Sequence, residues 1–175
     1  MNQFIKLCCL IFIFSALTIQ TSFAQKMGHI NSGNLLELLP ETKVAAKELE
    51  KFQKDLTDAY DAKIKAFEEK VKKHLNPERR KTISPIALQN EQNALAKEEQ
   101  TLLKERQAND QKVMEKRQEL LKPIFERVDE AIKQVAQEQG FKMIFDSSVF
   151  NVILYKEDSE DITEFVKTKL GLKKD

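Results

Sequence analysis

Along residues 49–75 the apolar positions Leu49, Phe52, Leu56, Tyr60, Ile64, Phe67, Val71 and Leu75 recur at steps of three and four. That period gathers side chains on one face of an α-helix. The remaining faces hold Glu48, Lys51, Lys54, Asp55, Asp58, Lys63, Lys65 and Glu69, so one narrow seam needs a partner while the rest stays in water. A second periodic stretch begins near Pro85, with Leu88, Leu95 and Leu102 at seven-residue intervals and then Val113, Leu120, Ile124, Val128, Ala131 and Val135. The two stripes predict an antiparallel coiled-coil hairpin. From Glu41 to Leu75 it would extend about 50 Å at the helical rise, so it projects as an arm.

No glycine occurs between Gly33 and Gly140, and Pro77 and Pro85 cut that run at one place. They mark the tip of the arm, residues 70–85, within an arm spanning 41–123. Between Leu103 and Val113 the return helix is almost wholly polar, and looser pairing is expected there. Pro123 falls near the base, where it removes a hydrogen bond and crowds the Glu119 carbonyl; a kink or hinge is expected.

The flanking segments read differently. Lys26–Asn31 is a short apolar-rich run readable as a strand, with Gly28 allowing close backbone approach. Asn34–Leu39 reads as a short helix, and Pro40 suits the first turn of the long helix that follows. After Gly140, a helix stop, Phe141–Asp146 and Val149–Tyr155 read as two strands of a hairpin joined through Ser147 and Ser148. Asp161, Ile162 and Thr163 open a terminal helix through Leu170, capped by Asp161 or Thr163 and stopped by Gly171. The fold class is therefore α+β: a small body, residues 25–40 and 124–175, carrying a long helical arm. Three short strands from one chain would leave hydrophobic edges exposed, which predicts a homo-oligomer closed through the sheet.

Residues 1–24 are set apart as a signal peptide cleaved after Ala24, since Lys6 precedes an apolar run from Leu7 to Ile19 and Ser22, Phe23 and Ala24 supply a cleavage site. The run is too short to span a bilayer, so export to a soluble compartment is expected. Cys8 and Cys9 lie inside the leader, leaving the exported chain without a thiol for disulfides, metal or nucleophilic catalysis. Of the 29 Lys and Arg residues only Lys6 leaves with the leader, so the remainder balances the 28 Asp and Glu residues. Zero net charge in an exported chain argues against nucleic-acid binding. His29 and His74 read as isolated, and no glycine-rich phosphate loop or metal-ligand cluster occurs. Catalytic residues, metal ligands and cofactors are accordingly expected to be none.

Met27-Gly28-His29-Ile30-Asn31, Leu120-Leu121-Lys122-Pro123-Ile124, Gly140-Phe141 leading to Asp146, and Asp161-Ile162-Thr163, in that order and spacing, resemble the Skp/OmpH family of periplasmic chaperones over nearly the whole exported chain. The resemblance implies a homotrimer whose strands form a common β-barrel body. Its three arms would enclose a cavity that holds unfolded outer-membrane β-barrel proteins without ATP. The sequence departs from the family pattern at His29, where an aromatic or aliphatic residue is commoner, at the two tip prolines, and in its zero net charge, which weakens the case for strongly electrostatic client capture.

On this reading the oligomer body draws on Met27, Ile30, Ile144, Phe145, Val152 and Leu154. Client binding falls to the arm and its tip. Lys70, Lys72, Lys73, Arg79, Arg80 and Lys81 face only Glu78 within 70–85, a local excess of +5. Such a tip attracts anionic clients, anionic lipid or lipopolysaccharide, or is simply a solvated helix turn. Tyr60 and Phe67 either present aromatic surface to a client or pack in the seam. Pro123 is either a hinge that lets the cavity adapt or a static bend. The alternative function is an exported coiled-coil adaptor that tethers folded envelope components. A holdase needs dispersed small apolar contacts along the arm, whereas an adaptor needs one defined patch near its tip.

Overall fold

The computed structural model describes residues 25–172; the leader expected at 1–24 lies outside them. The elements run β1 (Met27–Ile30), α1 (Ser32–Leu38), α2 (Pro40–Leu75), α3 (Pro77–Thr82), α4 (Pro85–Gln139), β2 (Met143–Asp146), a 3-10 turn (Asp158–Glu160) and α5 (Thr163–Lys169). The chain is mostly helical, and its two strands form one small sheet.

Helices α2 and α4 make the arm. Leu49, Phe52, Leu56, Tyr60, Ile64, Phe67 and Val71 are all half-buried along its seam, while Leu75 is exposed and His74 takes the next seam position instead. Ion pairs fix the antiparallel register: Glu48 with Lys116 at 2.9 Å, Lys63 with Glu105 at 2.5 Å and Lys70 with Glu98 at 2.7 Å, the partner number falling as the first rises. Across the polar stretch after Leu103 the seam continues through half-buried Glu105 and Asn109 to Val113, keeping the helical period with polar side chains.

The tip is more ordered than two helix-breaking prolines suggest. Each proline is the first residue of a helix and is preceded by a capping side chain: Asn76 accepts from the amides of Glu78 and Arg79, and Ser84 accepts from that of Ala87. Proline costs nothing at a position whose amide has no helical partner, so Asn76-Pro77 starts the extra helix α3 and Ser84-Pro85 starts α4. Arg79 then reaches across to Glu91 with both guanidinium nitrogens, and His74 Nδ1 lies 3.2 Å from the same carboxylate. The Arg79 guanidinium and the His74 imidazole hold the Glu91 carboxyl down at about 2.

Helix α4 is much longer than α2, 55 residues against 36, and its last turns run on into the body. Pro123 lies inside this helix without ending it. There Val128, Ala131 and Val135 are buried with Ile30, Leu35, Leu39, Ile162, Val166 and Leu170 in one core. Arg127 ties the junction by pairing with Glu41 and donating to the Leu170 carbonyl at 2.8 Å, which satisfies one of the open carbonyls at the end of α5. Gly140, at φ 72, ends α4 in the left-handed conformation that glycine adopts without strain.

The expected hairpin after the arm is not formed. Strand β2 pairs with β1, in parallel, from Met27 opposite Met143 to Ile30 opposite Asp146. Parallel pairing needs a long crossover, and the whole arm is that crossover. The other side of β1 is taken by Asp161 and Ile162, whose amide donates to the His29 carbonyl at 3.0 Å. Among the described residues Val149–Tyr155 pairs with neither strand, its Val152 amide donating to the Val149 carbonyl at 3.4 Å. It forms turns and bends instead of the expected third strand, and Asn151 at φ 65 interrupts any extended run. Asp146 joins the sheet to α1 by accepting from the Ser32 hydroxyl at 2.5 Å and the Ser148 amide at 2.9 Å. Burial pushes its carboxyl up, but these bonds outweigh that and hold it below the ordinary value.

Two outcomes follow from this packing. A Cβ at Gly28 would lie 2.9 Å from the Phe141 ring and 3.1 Å from fully buried Ile162, so Gly28→Ala is expected to lower stability by about 1–3 kcal/mol in urea unfolding; unchanged stability would show that the ring yields freely. Because the Glu91 carboxyl lies below its ordinary 4.5, its pairing stabilises the tip fully above that pH and the contribution is lost as pH falls from there through about 2. Glu91→Gln is expected to speed exchange of the tip amides at neutral pH and to remove this acid dependence; an acid response as in wild type would refute the assignment.

Candidate functional site

The structure redistributes the charge of the arm tip. Lys72 pairs with Glu69 at 2.6 Å, Lys81 with Glu78 at 2.8 Å, Lys70 with Glu98 across the arm, and Arg79 with Glu91. Among the described residues no ion pair is formed by Lys73 or Arg80. The local excess counted along the sequence is thus largely balanced by carboxylates of α4 and by Glu69, and two cations of the six are left to solvent. A shallow cleft of about 310 Å³ lies beside them between Lys73, His74 and Leu95. His74, read from sequence as isolated, is instead the neighbour of Glu91.

Tyr60 and Phe67 sit half-buried in the seam between α2 and α4. The apolar side chains that do reach solvent on the arm are others: Val44 and Phe125 at its base, Met114 and Leu103 along its length, Leu75 and Ile86 at its tip. They are spread over the length of the arm.

Where the arm meets the body an open groove of about 1100 Å³ is lined by Leu36, Leu121, Phe125, Ile132 and Ile144, with Arg117, Lys122, Glu126 and Asp129 at its edges. The seam analysis did not single out Leu121 or Phe125. Each directly follows a seam residue, Leu120 or Ile124, so the doubled apolar positions widen the stripe onto a second face. That doubling was the available signal.

The body residues expected to join copies divide into two groups. Ile30 is fully buried in the chain's own core, and Ile144 is half-buried on the groove. Met27, Phe145, Val152 and Leu154 are exposed, Leu154 to 86 %. Val152 and Leu154 belong to the unpaired segment that also presents Val149, Phe150 and Tyr155 to solvent. Free apolar surface is therefore densest on this face of the body. His29, also read as isolated, is buried, with its Nε2 at 2.9 Å from the Glu157 carbonyl just after that segment.

The family profile described as outer membrane protein (OmpH-like) matches residues 26–170. A crystal structure from Caulobacter crescentus, described provisionally as an OmpH-like outer membrane chaperone, superposes with a TM-score of 0.67 at 17% identity, covering 87% of this chain and 89% of that one. No curated protein sequence matches at a significant level. The profile spans β1, the complete arm, β2 and α5, the elements whose packing is described above, and the chain belongs to the OmpH-like family.

Proposed function

We propose that the protein is an ATP-independent holdase of the periplasm that keeps unfolded outer-membrane β-barrel proteins from aggregating in a cavity between helical arms. It works as a homotrimer joined through its bodies and carries out no catalysis. Membership of the OmpH-like family supports a chaperone role and an envelope location. The observation that carries the holdase reading over a tethering adaptor is the distribution of Val44, Phe125, Met114, Leu103, Leu75 and Ile86. They are spread from base to tip, with Phe125 on the apolar groove at the foot of the arm, instead of gathering near the tip. Dispersed weak contacts each break easily, while an enclosing cage keeps their effective concentration high, so a client is retained without a tight site and released without nucleotide.

The trimer reading rests on the body. Five large apolar side chains within Val149–Tyr155 face water in one chain, and among the described residues the outer edge of β2 has no strand beside it. Such an edge and such a segment are liabilities for aggregation unless a neighbour covers them. A second copy supplies both partners at once, pairing the segment with a free edge and closing the sheets into a shared barrel. Lys73 and Arg80 at each tip add an attraction for anionic clients, anionic lipid or lipopolysaccharide, which salt weakens.

Native mass spectrometry of residues 25–175, before and after dilution of a urea-unfolded outer-membrane β-barrel protein, is expected to show a trimer that gains one client chain. A trimer that ignores unfolded chains would favour the adaptor. Replacing Val44, Leu103 and Met114 together by Ser is expected to leave the trimer intact and to weaken suppression of client aggregation several-fold; full suppression would remove these side chains from the client surface. Leu154→Asp is expected to shift trimer to monomer in sedimentation equilibrium, and a trimer undisturbed by it would exclude the 149–155 segment from the interface.

A further inference from the structure

The apolar 149–155 segment is held at its two ends, and one end is held by a single buried side chain. At its start, the Ser147 amide and hydroxyl both donate to the Ile30 carbonyl, at 2.8 and 3.2 Å. At its end stands His29, a strand residue only 4 % exposed. Its Nε2 lies 2.9 Å from the Glu157 carbonyl, and because a carbonyl only accepts, Nε2 carries the proton. Nδ1 of the neutral ring is then an acceptor, and the Lys156 ammonium, 3.4 Å away, points its protons at it while also donating to the Ser147 hydroxyl at 3.3 Å. The imidazole thus joins β1 to both Lys156 and Glu157, and Lys156 closes the segment back onto its own start.

We propose that His29 is a proton-sensitive clasp that fixes the pose of the 149–155 segment and, with it, the surface offered to a second copy. The second half rests on the assembly reading above. The charged groups that face the ring are Lys156 from the loop and Asp161 from the strand-like stretch on the far side of β1, whose carboxylate lies 3.9 Å from Nδ1. No charged side chain faces it from β2, where its register partner is Phe145. Protonation converts Nδ1 from acceptor to donor. The ring then repels Lys156 and turns its new proton toward Asp161, so the loop loses its ammonium link while Asp161 and Ile162 stay paired with β1. Acid therefore loosens the apolar segment without opening the core.

Hydrogen exchange resolved to the 147–157 amides, corrected for intrinsic rates, tests the clasp, and native mass spectrometry on the same samples tests assembly. Wild type is expected to exchange several-fold faster in this loop at about pH 5 than at about pH 7, with β1 and β2 unchanged and the trimer shifting toward monomer. His29→Leu is expected to exchange fast at both pH values with no difference between them. Lys156→Met, a change at an exposed side chain that leaves the Glu157 bond in place, is expected to lose most of the pH response even if His29→Leu fails to fold. A wild-type pH response in either variant overturns the clasp. A trimer whose loop is indifferent to pH also overturns it and leaves the assembly reading standing. A monomer at every pH whose loop still answers to His29 supports the clasp and overturns assembly instead.

Discussion

The parallel pairing of β1 with β2 is the constraint on which the rest depends. Four residues on each side form it, and the entire arm lies between them in the chain. A parallel pair cannot be closed by a tight turn, so whatever leaves the end of β1 must travel out and return to the start of β2. Two antiparallel helices meet that requirement with most of the backbone of the projecting part bonded within each helix. The excess of the 55-residue return helix over the 36-residue outgoing one is what reaches back past the strand. That excess carries Val128, Ala131 and Val135, which fill the core against α5. The body is thus built partly from the arm, and bending at their junction would pull on the core itself.

The arm obeys a second constraint, because its seam is one side chain wide and its other faces are charged. Opposite charges then settle across the seam at separations that no sequence window contains, such as Lys70 with Glu98 and Lys63 with Glu105. Exposed pairs of this kind contribute little to stability, roughly 0–1 kcal/mol each, but they set which cations remain available. The tip offers Lys73 and Arg80 to solvent while its other cations face carboxylates. An arm that is nearly neutral and dotted with single apolar side chains suits many brief contacts better than one strong electrostatic grip.

The body gathers what the arm disperses. With β1 flanked on both sides and Asn151 turning the backbone away from an extended course, the residues after β2 join no sheet among the described residues, and five large apolar side chains remain in water. Anchoring through Ser147 and through buried His29 gives the exposed segment a defined pose.

By itself the sequence determined the elements governed by local rules: the three-and-four spacing of Leu49 through Val71, the break between the two arm helices at Pro77 and Pro85, the glycines that close α4 and α5, and the small residue at Gly28. Each is a short-range steric or hydrogen-bonding requirement visible within a few positions. The third strand at Val149–Tyr155 was legible as a short apolar run after Ser147 and Ser148 and yet does not form, because a strand is completed by a partner and Asn151 at φ 65 breaks the extended course that pairing with β2 would need. The groove at Leu121 and Phe125, the neutralised tip and the neighbours of His29 and His74 were likewise hidden. Each depends at least in part on residues distant in the chain, which the folding of α4 along α2 and onto the body brings together.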